Sequence, residues 1–171
     1  MLNHNIYQDL ITITVNKRKR GNELTAKEEK REKLIFLWVN SWKNKNNMGI
    51  EKVFAPDIHY IRSWGPEYHG LLELEYWFDE KNDRGTITNW EIDKFIHDNN
   101  ETIIHWFIKD EHKMGNSKEI EGLSIIKWND NNQISYVQDF ICNTNRSDPY
   151  KSSESPIYTE QQLNWFDKLH K

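Results

Sequence analysis

Four ionisable side chains, Asp93, His105, Glu121 and Asp139, sit in segments whose residues alternate in polarity as strands do. In a strand every second residue shares a face. His105 therefore shares its face with Ile103 and Phe107, Glu121 with Leu123 and Ile125, and Asp139 with Val137 and Ile141. Asp93 and His97 share theirs with Asn89 and Glu91. If the four faces coincide, the set is an acid–base cluster on one side of a sheet, with His105 the natural partner of a carboxylate. In an apolar pocket such a cluster shifts its pKa values and supports general acid–base catalysis. If that side faces outward, the same residues form a solvated or dimer-facing patch. Hairpin registers decide between the two, and spacing alone does not give them.

A second mixed set of donors, acceptors and rings is His59, Tyr60, Arg62, Trp64, Glu67, Tyr68 and His69. These residues either line the rim of a pocket or do ordinary work, with Tyr60 packing and Arg62 pairing with a surface carboxylate. His59 and His69 are ten positions apart with Glu67 near them. The chain has no HExxH pattern and no closely spaced His/Cys pair, so no metal site and no cofactor are expected. It also has no Gly-rich phosphate loop. Cys142 is the single cysteine, so no intrachain disulfide can form. Its apolar surroundings predict a buried thiol and not a nucleophile.

The elements that position these residues follow from pattern. Thr25 with Glu28 three residues later is a capping-box start. Leu34, Ile35, Trp38, Val39 and Trp42 then recur at helical spacing. A short helix is predicted over 49–54, a strand over 58–64 and a third helix over 71–81, which carries Leu71, Leu74, Trp77 and Phe78 on one face. Strands are predicted over 86–97, 101–113, 118–129 and 133–142. The breaks between them at 98–100, 114–116 and 129–132 are rich in Asn, Asp and Gly, and imply an antiparallel meander. Residues 1–24 read as an N-terminal arm with a possible strand at 11–15. Residues 25–142 read as the domain, and 143–171 as a polar tail with a short helix over 158–169. Trp90, Trp106, Trp128, Tyr136 and Phe140 form rows of rings that suit either core packing or a sheet-to-sheet dimer surface.

Composition bounds the rest. The 171 residues suit one domain, and 13% aromatic content with eight tryptophans predicts a core built on large rings. A net charge of −4 gives no global attraction to nucleic acid, and the lone run Lys17-Arg18-Lys19-Arg20 reads as a solvated tail. No apolar run approaches the ~18 residues of a membrane span. The first residues do not read as a signal peptide, so a cytoplasmic setting without nucleic-acid or membrane partners is expected.

The order helix, helix, strand, helix, then four strands is similar to that of the nuclear-transport-factor-2-like (NTF2-like) superfamily. Trp38-Val-Asn-Ser-Trp42 resembles the first-helix pattern of its SnoaL-like members, and Phe54-Ala-Pro-Asp-Ile-His-Tyr60 their helix-to-strand passage. Gly65-Pro-Glu-Tyr-His-Gly70, with Leu74 and Trp77-Phe78 after it, resembles the step into the third helix. Gln138-Asp139-Phe140 resembles the final strand. The resemblance covers about residues 25–142 and implies an α+β cone, a curved antiparallel sheet wrapped around three N-terminal helices. It implies a pocket for a small hydrophobic molecule, a homodimer formed through the sheet, and an activity class that includes cofactor-free isomerases, dehydratases, cyclases and hydrolases. It also includes binding proteins with no reaction. By resemblance, Asp139 is the expected base with His105 its partner, and Tyr60 a hydrogen-bond donor to a developing oxyanion. Trp38, Trp42, Trp64, Trp77, His69 and Glu121 are the other expected binding residues. Cys142 and Asn143 depart from the acidic residue that many relatives carry after the last-strand aromatic.

Overall fold

The computed structural model describes residues 24–112, 117–142, 144 and 146–169. The possible strand at 11–15, the basic run at 17–20 and the turn at 114–116 lie outside the described residues.

Helix α1 (Ala26–Lys43) begins where the capping box predicts. The Thr25 hydroxyl accepts from the Glu28 backbone N–H at 3.2 Å, and the Glu28 carboxylate accepts from the Thr25 N–H at 2.7 Å. Two of the four unpaired donors of the helix start are satisfied this way. The buried stripe is Ile35, Trp38, Val39 and Trp42, with Arg31 and Ser41 also buried. Arg31 stands four residues before Ile35 on the same stripe and is buried although charged. Its guanidinium donates to the Asn99 carbonyl at 2.7 Å, Asn132 Oδ1 at 3.0 Å and Asn100 Oδ1 at 3.2 Å, and lies 5.0 Å over the Trp128 ring. One side chain thus ties α1 to two hairpin turns.

A short helix α2 (Ile50–Val53) leads directly into strand β1 (Phe54–Ile61). Strand β2 (Glu67–His69) folds back on β1. Spacing does not predict β2, because three residues carry no readable alternation. Helix α3 (Gly70–Arg84) buries Leu74 and Phe78. Four long strands follow: β3 (Gly85–Asp98), β4 (Glu101–His112), β5 (Ser117–Trp128) and β6 (Ile134–Cys142). Helix α4 (Glu160–Leu169) lies in the tail. The turns at Asn99 and Asn132 hold those residues at φ of 49° and 61°, the left-handed region that asparagine tolerates.

The six strands form one curved sheet in the order β2-β1-β6-β5-β4-β3. The four long strands are an antiparallel meander, as their short turns imply. β1 joins β6 in parallel, so the sheet as a whole is mixed. No hairpin dictates that pairing: α3 and four strands separate β1 from β6 in the chain. The inner face carries Ile104, Trp106, Ile126, Trp128 and Val137 against the helices. Between them lies a cluster of rings, with centroids 5.2 Å apart for Trp38–Trp42, 4.9 Å for Trp42–Trp77 and 4.9 Å for Trp38–Phe54. The large-ring core expected from composition is therefore the stuffing of the cone.

Candidate functional site

Strand registry places the ionisable residues. Asp139 pairs with Ser124, and Ser124 with Ile104, so Asp139 is on the inner face. His105 pairs with Leu123, and Leu123 with Phe140, one residue out of phase. In a strand one step reverses the face. His105 and Asp139 therefore lie on opposite faces of the sheet, and the acid–base pair expected from sequence does not form. Glu121 pairs with Phe107 and shares the outer face with His105. Asp93 reaches that face through an irregularity in β3 between Ile92 and Lys94, which breaks simple alternation. The result is an outer network. His105 Nδ1 is 2.5 Å from Asp93 Oδ1, His105 Nε2 is 3.0 Å from Glu121 Oε1, and Arg146 donates to Glu121 Oε2 at 2.5 Å. The hydrogen bond from His105, followed by that from Arg146, holds the Glu121 carboxyl below its ordinary value.

The inner face holds a different constellation. Asp139 Oδ1 accepts from the Ser124 hydroxyl at 2.6 Å, and Oδ2 from the Tyr60 hydroxyl at 3.2 Å. Arg62 Nη1 makes a close ion pair with the same Oδ2. Ser124 Oγ in turn accepts from the Trp106 indole N–H at 2.8 Å. Tyr60 and Arg62 are two apart at the end of β1, so both point inward. The Arg62 backbone N–H donates to the Pro66 carbonyl at 2.8 Å, which anchors the strand end. The guanidinium lies 5.1 Å over the Trp77 ring, a cation–π contact.

Burial raises the Asp139 carboxyl above its ordinary value, and Arg62, Ser124 and Tyr60 pull it back without cancelling that effect. Burial first, and then the charge of Asp139, push the Tyr60 hydroxyl far upward, so it remains a donor. Burial pulls the Arg62 guanidinium down, but Asp139, Tyr60 and Tyr68 together outweigh it and the group stays a cation.

Beside Tyr60 and Ser124 is a cavity of about 20 Å³, also lined by Trp38, Phe54, Trp90 and Val137. It has room for about one water molecule. The Trp90 indole nitrogen is buried without a hydrogen-bond partner. Trp42 and Trp77 pack behind this cavity and fill the cone. Trp64 is 68% exposed on the turn after β1 and does not line it. His69 and Glu121 are on the outer side. Cys142, expected to be buried, is half-buried, because it ends β6 opposite Glu121. Ser124 and Trp106 were missed from sequence. The one available signal was Ser124 itself, a hydroxyl interrupting the apolar run 123–126.

The architecture has clear counterparts among solved structures. A protein assigned as a SnoaL-like polyketide cyclase, from Jannaschia sp. CCS1, superimposes with a TM-score of 0.59 at 7% identity, over 71% of this chain and 91% of its own. An LEH-like epoxide hydrolase from M. tuberculosis gives 0.59 at 10% identity, over 67% and 84%. An NTF2-like protein of unknown function from Burkholderia pseudomallei K96243 gives 0.56 at 12%, over 66% and 90%. The fold is NTF2-like, of the SnoaL-like type. No family model and no curated protein matches the sequence. Within this NTF2-like cone, the chain places one carboxylate, one guanidinium, one phenol and one hydroxyl in direct contact. Among the described residues, no helix is long and apolar enough to cross a membrane.

Proposed function

We propose that this NTF2-like chain is a non-catalytic binding module that dimerises through the outer face of its sheet. The observation that carries the reading is the filled cone. The rings of Trp38, Trp42 and Trp77 fill the cone, the cavity of about 20 Å³ that is left is lined by Trp38, Tyr60 and Ser124, and three donors take up most of the lone pairs of the Asp139 carboxylate. A general base needs a free lone pair aimed at a substrate proton. The outer face supports the dimer. Ile96, Phe107, Leu123 and Phe140, one from each of the four long strands, share it around the His105 network and are each between 39% and 46% exposed. Size-exclusion chromatography with light scattering tests this: wild type elutes as a dimer, and Leu123→Asp with Phe140→Asp as a monomer. A monomeric wild type would overturn it.

One observation favours a second reading, a cofactor-free acid–base enzyme acting on a small hydrophobic molecule. The Asp139 carboxyl is raised by burial and adjoins Tyr60, while the Trp90 N–H near it has no partner. A small shift of the rings would open room for a ligand there, with Asp139 as base and Tyr60 as donor. A thermal-shift screen of ring-bearing metabolites on wild type and Asp139→Asn separates the two readings. A ligand that stabilises wild type by mass action and fails on Asp139→Asn favours the enzyme. A screen without such a ligand favours the module.

A further inference from the structure

The structure brings together three side chains that spacing in the sequence left apart. His59 and His69 are direct cross-strand partners on β1 and β2, and Glu67 lies two residues before His69, hence on the same face. Their side chains converge on the outer side of the sheet edge. His59 Nε2 is 2.8 Å and His69 Nε2 3.8 Å from the same oxygen, Glu67 Oε2. One ligand atom from each residue lies within 4.8 Å of the others. The imidazole rings are stacked with centroids 4.5 Å apart and planes 20° from parallel.

We propose that His59, Glu67 and His69 form a binding site for a divalent transition-metal ion, with zinc the ion the donor set suits. Two imidazoles and one carboxylate are the ligands of open zinc sites, which leave a fourth position to water. With metal–ligand bonds of about 2.0–2.2 Å in a tetrahedron, ligand atoms stand about 3.3 Å apart. The separations to Glu67 of 2.8 and 3.8 Å bracket that value. Only side-chain torsions need adjust, and His69, 64% exposed, is free to do so. The backbone beneath is fixed. The His69 N–H donates to the Glu73 carboxylate at 2.6 Å, and the connecting turn is closed by the Arg62 N–H to Pro66 bond and by a Gly65 N–H to Arg62 carbonyl bond of 3.0 Å. Preformed ligands lose less freedom on capture of the ion. The site faces away from Asp139 and does not depend on the proposed role of the cone.

Calorimetric titration of EDTA-stripped full-length protein with zinc chloride tests this. The expected result is one equivalent bound with micromolar or tighter affinity, a matching rise in melting temperature, and no response to magnesium, which prefers an all-oxygen octahedral site. His69→Ala should weaken zinc binding by about tenfold or more, and His59→Ala likewise. Cobalt(II) supplies a second reading: a tetrahedral visible band in wild type that His69→Ala loses. Millimolar binding in wild type would overturn the proposal. So would unchanged zinc affinity in the double variant His59→Ala/His69→Ala, which would put the ion on other residues.

Discussion

Arg62 is the counter-ion that lets a carboxylate be buried in the cone, and its removal isolates that role. Arg62→Met keeps most of the stem over Trp77 and deletes the charge. Removing one member of a buried ion pair costs about 3–5 kcal/mol, because the other is left uncompensated. The Arg62 side chain is 18% exposed, so water reaches part of the site and the low end, about 3 kcal/mol, applies. In a chain of 171 residues each kcal/mol moves the melting temperature by about 2–4 °C, so the variant should melt about 6–12 °C lower at pH 7. The deficit should depend on pH with a definite sign. Asp139 in the fold already holds its proton above the ordinary value of 3.8, and loss of Arg62 raises it further. A carboxyl displaced upward contributes stability that is fully present below the unfolded value and is lost as pH rises through the folded value. The variant should therefore recover toward wild type as pH falls through the folded value of Asp139 toward 3.8. Asp139→Asn in the Arg62→Met background should restore much of the loss at neutral pH, since neither charge remains. Thermal melts of the three variants from acid to mildly alkaline pH measure this. An Arg62→Met melt within about 2 °C of wild type at every pH would refute the counter-ion role.

Other expectations follow from single contacts. A Cβ added at Gly122 would stand 2.5 Å from Trp106 Cη2 and from the Phe140 carbonyl oxygen, so Gly122→Ala should cost about 1–3 kcal/mol. Because Trp106 holds Ser124, near-ultraviolet circular dichroism should also change, and an unaltered spectrum and melt would count against the close packing. Arg31→Ala strips the donors from Asn99, Asn100 and Asn132 together and should lower stability by about 3 kcal/mol in denaturant unfolding. A loss no larger than that of a surface substitution would show that the turns hold without it. Thr25→Ala removes the helix cap and should cost about 1 kcal/mol, with Thr25→Asp close to wild type.

Local chemistry was legible in the sequence wherever it acts over a few residues. Thr25 and Glu28 start α1, the Asn-rich breaks turn the long hairpins, and the rings of Trp38, Trp42 and Trp77 mark buried faces, because capping, left-handed turns and hydrophobic period are encoded within a turn or a strand. The ordered set of elements was enough to indicate the NTF2-like architecture. The candidate site was legible only as an inventory. Tyr60 and Arg62 could be named, but not their joint hold on Asp139, which is 77 and 79 positions away along the chain. Whether His105 meets Asp139 turned on a single step of strand phase, and whether Asp93 meets His105 on an irregularity in β3, and a pattern of period two carries no information about phase between strands. Arg31 stands at helical spacing with Ile35, Trp38 and Trp42, but its partners in the two hairpin turns were visible only in the fold. The His59–Glu67–His69 cluster arises only because the short β2 folds back on β1 and sets two histidines opposite each other. The sequence by itself determined the main helices and the four long strands, but not the short β2 or the bounds of β1. The tertiary structure alone decided which faces coincide, and so which charged groups share a site.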